Sequence, residues 1–153
     1  MKGRITLVVE DPNWRRSRGL SQKLLAAAEA GLKASGLPRA ARFTILLADD
    51  ARLRDLNHNF RGKDKPTNVL SFPAAANKDG HLGDIALAWG VTSAEAKAAG
   101  KSIADHASHL VVHGVLHLAG FDHEKSRDAQ KMENLEVKIL SRLGISDPYA
   151  VNE

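Results

Sequence analysis

Apolar positions along this chain change period several times, and each change marks an element. Ile5–Val9 is a short apolar run and predicts a buried strand. From residue 17 to about 35 the spacing becomes helical: Leu20, Leu24, Ala28 and Gly31 share a face, and Gly36 with Pro38 ends the helix. Phe43, Ile45 and Leu47 alternate within Arg42–Ala48, which predicts a second strand. Asp50 is placed to cap a helix whose apolar stripe is Leu53, Leu56 and Phe60. Residues 61–67 then form a polar, basic loop closed by Pro66. Residues 69–72 make a short strand stopped by Pro73, and 74–81 a turn region containing Asn77, Asp79 and Gly80.

Alternation returns over residues 82–89, with Ile85, Leu87 and Trp89 on one side and Asp84, Ala86 and Ala88 on the other. A short helix over 92–99 follows. Ser102 opens a long helix, with Asp105 as capping-box partner, and Gly120 ends it. The last helix, 126–143, turns Met132, Leu135, Ile139 and Leu143 toward the core and stops at Gly144. The order β-α-β-α-β-β-α-α-α predicts an α/β fold, α+β-like in character: one compact domain over residues 1–153, with a small mixed four-stranded sheet packed by about five helices.

Composition narrows the chemistry. At 153 residues and 43% hydrophobic, the chain can bury a core and is not a disordered segment. Without cysteine it has no disulfide, and any metal must be bound by histidine or carboxylate. No apolar run approaches a membrane span, and the N-terminal apolar stretch is too short for a signal peptide, so a soluble cytoplasmic protein is expected. The net charge is +4, from 22 basic against 18 acidic residues. Much of it falls in the first half, at Arg15, Arg16, Arg18, Lys23, Arg39, Arg42, Arg52, Arg54, Arg61, Lys63 and Lys65. This balance permits nucleic-acid contact, and it equally fits a solvated surface.

The most informative segment is HGVLHLAGFDHE, residues 113–124. His113 and His117 are four apart on a helix, which puts their Cβ atoms roughly 6 Å apart on one face, within chelating reach of one ion. His123 cannot join them on a continuing helix, which would carry it roughly 9 Å further along the axis. Gly120 resolves this, because glycine accepts the left-handed conformation that ends a helix and lets the chain turn back. His106 and His109 extend the stripe. His109 is a poor substitute ligand, since it lies roughly 12 Å from His117 along the axis; it reads as a core histidine or one that supports the ligands. Three protein ligands leave a fourth position for water, the pattern of a catalytic zinc. Three imidazoles also suit nickel, cobalt or copper.

The spacing is similar to that of the metzincin proteases, with one difference. Those enzymes carry glutamate, their general base, directly after the first histidine, where this chain has Gly114. The metal scaffold is retained and the peptidase base is not.

Four motifs together resemble the YbeY family of bacterial rRNA-maturation endoribonucleases: HGVLHLAGFDHE; NHNFRGKDKPTNVLSFP over residues 57–73; Leu82-Gly83-Asp84-Ile85; and a tail with Met132, Glu136, Leu140, Leu143, Gly144, Asp147 and Tyr149. They span most of the chain from about Ile45 onward. The resemblance implies a compact α/β domain, one zinc ion held by His113, His117 and His123, and hydrolysis of single-stranded RNA. It also implies a part in 16S rRNA 3′-end maturation and ribosome quality control, with ribosomal RNA and the ribosome or its proteins as partners. His113 and Arg61 are then the catalytic candidates. Two departures stand out: Ala74, Ala75 and Ala76 follow the SFP segment, where relatives often carry acidic residues or proline, and Asn68 replaces a frequent aspartate and receives no catalytic role.

Arg61 suits a phosphate, since its planar guanidinium forks onto phosphoryl oxygens and never loses its charge; it also suits an ordinary helix-end arginine. Asp84 either orients a ligand histidine or bonds to backbone. Asp122 and Glu124 flank His123 as supporting groups or proton carriers, or as solvated turn residues. Two other functions compete: a zinc peptidase taking its base from Glu124 or Asp84, and a non-catalytic ribosome-assembly factor with a structural metal.

Overall fold

A computed structural model describes residues 4–37, 41–62, 67–74, 80–121 and 126–149. Its elements are β1 (Ile5–Val9), a 3₁₀ turn (Pro12–Arg15), α1 (Leu20–Ala34), β2 (Arg42–Ala48), α2 (Asp50–Arg61), β3 (Val69–Pro73), β4 (His81–Ala88), α3 (Trp89–Ala98), α4 (Ile103–Leu118) and α5 (Ser126–Arg142). The sheet runs β1-β2-β4-β3; β1, β2 and β4 are parallel and β3 is antiparallel to β4. This is the mixed four-stranded α/β arrangement expected from the element order. Pro38, Lys63, Lys65, Pro66 and residues 75–79 of the turn region lie outside the described residues.

Period-two alternation divides the sheet into two faces. Phe43, Ile45, Leu47, Ile85 and Leu87 meet α1 and α4 in the main core, joined by Leu24, Leu32, Val111, Val115 and Leu116. Burying each such aliphatic side chain contributes about 1.5–3 kcal/mol. On the opposite face Ala48, Ala86 and Ala88 pack with Leu53, Leu56, Leu70 and Phe72 under α2. Two glycines bring the layers of the main core together. A Cβ at Gly31 would stand 3.2 Å from Val115 Cγ1, and one at Gly114 would stand 3.1 Å from Ile85 Cδ1. α4 therefore lies close on both α1 and β4.

Several boundaries differ from the sequence reading, each for a tertiary reason. The cap of α2 is Asp49, whose carboxylate accepts the Arg52 N–H at 2.8 Å. Asp50 instead reaches across to α3 and accepts the Val91 N–H at 3.0 Å. That remote cap starts α3 at Trp89, which ends β4 one residue earlier than the alternation predicts. A Cβ at Gly90 would fall 2.3 Å from the Asp50 carboxylate, so glycine there keeps the path open. α1 starts at Leu20 rather than 17, behind a 3₁₀ turn that buries Trp14, whose indole N–H donates to Ala48 O at 2.9 Å. Phe60 does not join the core stripe of α2: it is 69% exposed, and its ring meets Phe72 of β3 at 5.1 Å.

Gly83 sits where the β2–β4 register slips by one residue. Its φ is +144°, and a Cβ there would stand 2.1 Å from the Phe72 carbonyl oxygen. Gly83→Ala is expected to destabilise the fold by about 3 kcal/mol or more through backbone strain and overpacking. Urea unfolding should show a lower midpoint with an unchanged slope.

Candidate metal centre

The site is built on α4. Ser102 caps its start, accepting the Asp105 N–H at 3.1 Å. Its end is closed at Gly120, with φ +98°: Gly120 N–H donates to His117 O and Phe121 N–H to Leu116 O, both at 3.0 Å. This is the paired 5→2 and 6→1 bonding of a Schellman turn, and it reverses the chain immediately after His117. Between these ends Val111, Val112, Val115 and Leu116 are buried, and the histidine stripe emerges on the side facing α5.

His113 and His117 turn their Nε2 atoms toward each other at 3.0 Å. Two imidazole nitrogens on one zinc, each at 2.0–2.1 Å, would stand roughly 3.3 Å apart in tetrahedral geometry. The pair is thus spaced as two ligands of one ion. His123, Asp122 and Glu124 lie outside the described residues, and among the described residues no three donors converge.

Behind the pair is a carboxylate that the sequence reading did not single out as a site residue. Glu136 of α5 has no solvent exposure. Its Oε1 lies 2.5 Å from His113 Nδ1, and its Oε2 lies 3.3 Å from His109 Nε2 and accepts the Tyr149 hydroxyl. Burial alone would raise the Glu136 pKa, but hydrogen bonds from His109, His113 and Tyr149 outweigh it and lower it from 4.5 to about 2. Burial, and then the same contact, push the Tyr149 phenol up. An ionised carboxylate only accepts, so His113 carries its proton on Nδ1 and, in the neutral ring, presents a lone pair at Nε2. The donor set therefore fits a divalent ion. A signal was present in the sequence: Glu136 falls on the buried face of α5, four after Met132 and three before Ile139. A carboxylate within an apolar stripe needs a partner.

Glu136 also sets a pH dependence. Its folded pKa is depressed, so its stabilising contribution is complete above about pH 4.5 and is lost as pH falls toward 2. Metal-free wild type should lose up to about 3 kcal/mol over that window. Glu136→Gln, followed by urea unfolding across the same pH range, should lack this component.

The other candidates are dispersed. His109 shares Glu136 and Tyr149, which takes its Nε2 away from the His113–His117 pair. His106 lies 3.0 Å from Glu95 Oε1, which also accepts from Asn68 Nδ2 at 3.0 Å. Among the described residues Asp84 is not brought to His113 or His117. It shares the sheet face of Ala86, opposite the one α4 covers, and meets His81 at 3.3 Å. From there it cannot orient His113 or serve as a peptidase base. Arg61 stands exposed at the last position of α2.

Comparison with known proteins settles the family. The family model described as "Endoribonuclease YbeY" matches residues 10–144. The chain belongs to the YbeY family. The Endoribonuclease YbeY of Azorhizobium caulinodans is 48% identical over 153 residues, covering 96% of each chain. That of Chelativorans sp. is 52% identical over 138 residues, covering 87% of this chain and 83% of the relative. A solution structure of a Thermotoga maritima protein shares the fold at TM-score 0.60 and 24% identity, covering 96% of this chain and 99% of that one. YbeY members are named as endoribonucleases, hydrolases that cut RNA internally. Among the described residues no helix is long and apolar enough to cross a membrane.

Proposed function

We propose that this YbeY chain is a zinc-dependent endoribonuclease acting on single-stranded RNA, with His113, His117 and His123 as ligands. The observation that carries the reading is the facing Nε2 pair of His113 and His117, backed by a buried carboxylate on His113 Nδ1. A zinc ion there would supply Lewis acidity toward a phosphoryl oxygen and would acidify a water. The chain's own residues do the rest. Glu136 fixes the tautomer and direction of His113, and Tyr149 and His109 hold Glu136 in place. Arg61 offers a permanent charge to the phosphate as negative charge builds on its oxygens.

Family membership extends the reading to 16S rRNA 3′-end maturation and ribosome quality control in the cytoplasm, with the ribosome as partner and the whole chain as one hydrolase domain. A metallopeptidase is disfavoured by Gly114, whose absent side chain would face Ile85, and by the position of Asp84. The test is cleavage of an unstructured RNA by wild type, His113→Ala and Arg61→Ala, with elemental analysis of each protein. Zinc in the wild type and loss of cleavage in both variants are expected; equal cleavage by all three would overturn the proposal. A 2′,3′-cyclic phosphate on the product would identify the RNA's 2′-hydroxyl as the attacking group, and a linear phosphate would identify water.

A further inference from the structure

Phe60 is the most exposed large apolar side chain among the described residues, at 69%. Its neighbours explain its orientation but not its exposure. Phe72, half-buried on β3, meets the Phe60 ring at 5.1 Å with a 58° tilt, an edge-type contact that holds the ring without covering it. Arg61, the next residue, is exposed beside it. An open aromatic face next to a permanent cation is the combination that grips unpaired nucleotides: the ring stacks a base and the cation takes the neighbouring phosphate.

The fold also relates this patch to the metal centre. β3 is the outer strand of the sheet. Ser71 pairs with Ile85, the residue directly beneath Gly114 of the histidine helix. Phe72 is the next residue along β3 and points to the other face, where it supports Phe60. β3 thus lies between α2, which carries Phe60 and Arg61, and α4, which carries His113 and His117.

We infer that Phe60, propped by Phe72, is a stacking platform for one unpaired base of the RNA, with Arg61 on the adjoining phosphate. This rests on the RNA-cleaving reading above and gives a physical reason for single-strand preference, since a base inside a duplex has no free face to offer.

The test uses the metal-loaded enzyme and a short unstructured RNA. Phe60→Ala should raise KM about tenfold, with kcat falling less than KM rises. Phe60→Leu, which keeps an apolar side chain in contact with Phe72, should resemble Phe60→Ala, and Phe60→Trp should restore KM toward the wild-type value. The salt dependence separates the two roles: Arg61→Ala should lower the log–log slope of binding by about 1, whereas Phe60→Ala leaves it unchanged. As a competitor, a single-stranded DNA should outcompete an abasic deoxyribose-phosphate chain of equal length on wild type, and lose that advantage on Phe60→Ala. Wild-type KM in Phe60→Ala or in Phe60→Leu would overturn the platform while leaving the nuclease intact. No binding or cleavage of RNA by the wild type would instead overturn the endoribonuclease reading itself.

Discussion

Alanine at His113 should abolish RNA cleavage and lower zinc affinity by at least about 100-fold, more than any loss expected from a residue that only supports a ligand. The informative comparison is Glu136→Gln. Glutamine preserves the shape of the buried carboxylate but removes the charge and one acceptor, and its amide can present N–H to His113 Nδ1. The imidazole is then free to adopt the wrong tautomer, with its proton at Nε2, where the ion would bind. Zinc affinity should fall about 10- to 100-fold while the ligand set stays complete. Competition with a chromogenic chelator measures both variants without reference to activity. Wild-type affinity in Glu136→Gln would mean that the short contact at His113 Nδ1 does not set the ring's tautomer.

The second large effect concerns Gly114. The difference from metzincin proteases suggests an obvious experiment, Gly114→Glu, to restore the missing base. The structure predicts loss of the fold instead of gain of a peptidase. A Cβ at Gly114 would stand 3.1 Å from both Cδ1 and Cγ2 of Ile85, in the interface between α4 and β4. A glutamate there would combine overpacking with an unpaired buried charge, and a cost of about 5 kcal/mol or more is expected. Gly114→Ala should cost about 1–3 kcal/mol, since Ile85 must yield only a few tenths of an ångström. Urea titration of the two variants ranks them; a stably folded Gly114→Glu protein would show that this face of α4 is looser than its packing indicates.

Local signals were legible in the sequence where the governing interaction is itself local. Ser102 and Gly120 bound the histidine helix through bonds reaching only a few residues, and the helical spacing of His113 and His117 sufficed to pair them. Asp84 shows the limit. Alternation correctly placed it on the opposite side from Ile85, but a strand pattern does not say which side α4 covers, so a role beside the ligands looked open. Phe60 stays out of the core for a similar reason: helical spacing marks a stripe but not how far along it the packing reaches. Glu136 reaches His113 across 23 residues, Tyr149 reaches Glu136 from beyond the end of α5, and no spacing rule links them.

Tyr149 is the single tyrosine in the 153 residues, and its hydroxyl is bonded to the carboxylate that holds His113. Biosynthetic labelling with fluorotyrosine would thus give one ¹⁹F resonance, located beside the candidate metal ligand His113 without any engineered residue. The only two tryptophans, Trp14 and Trp89, stand edge to face with centroids 5.1 Å apart in the core, and their near-ultraviolet circular dichroism reports on the integrity of the fold. Metal loading and unfolding can therefore be followed in the same sample, one by the ¹⁹F resonance and the other by circular dichroism.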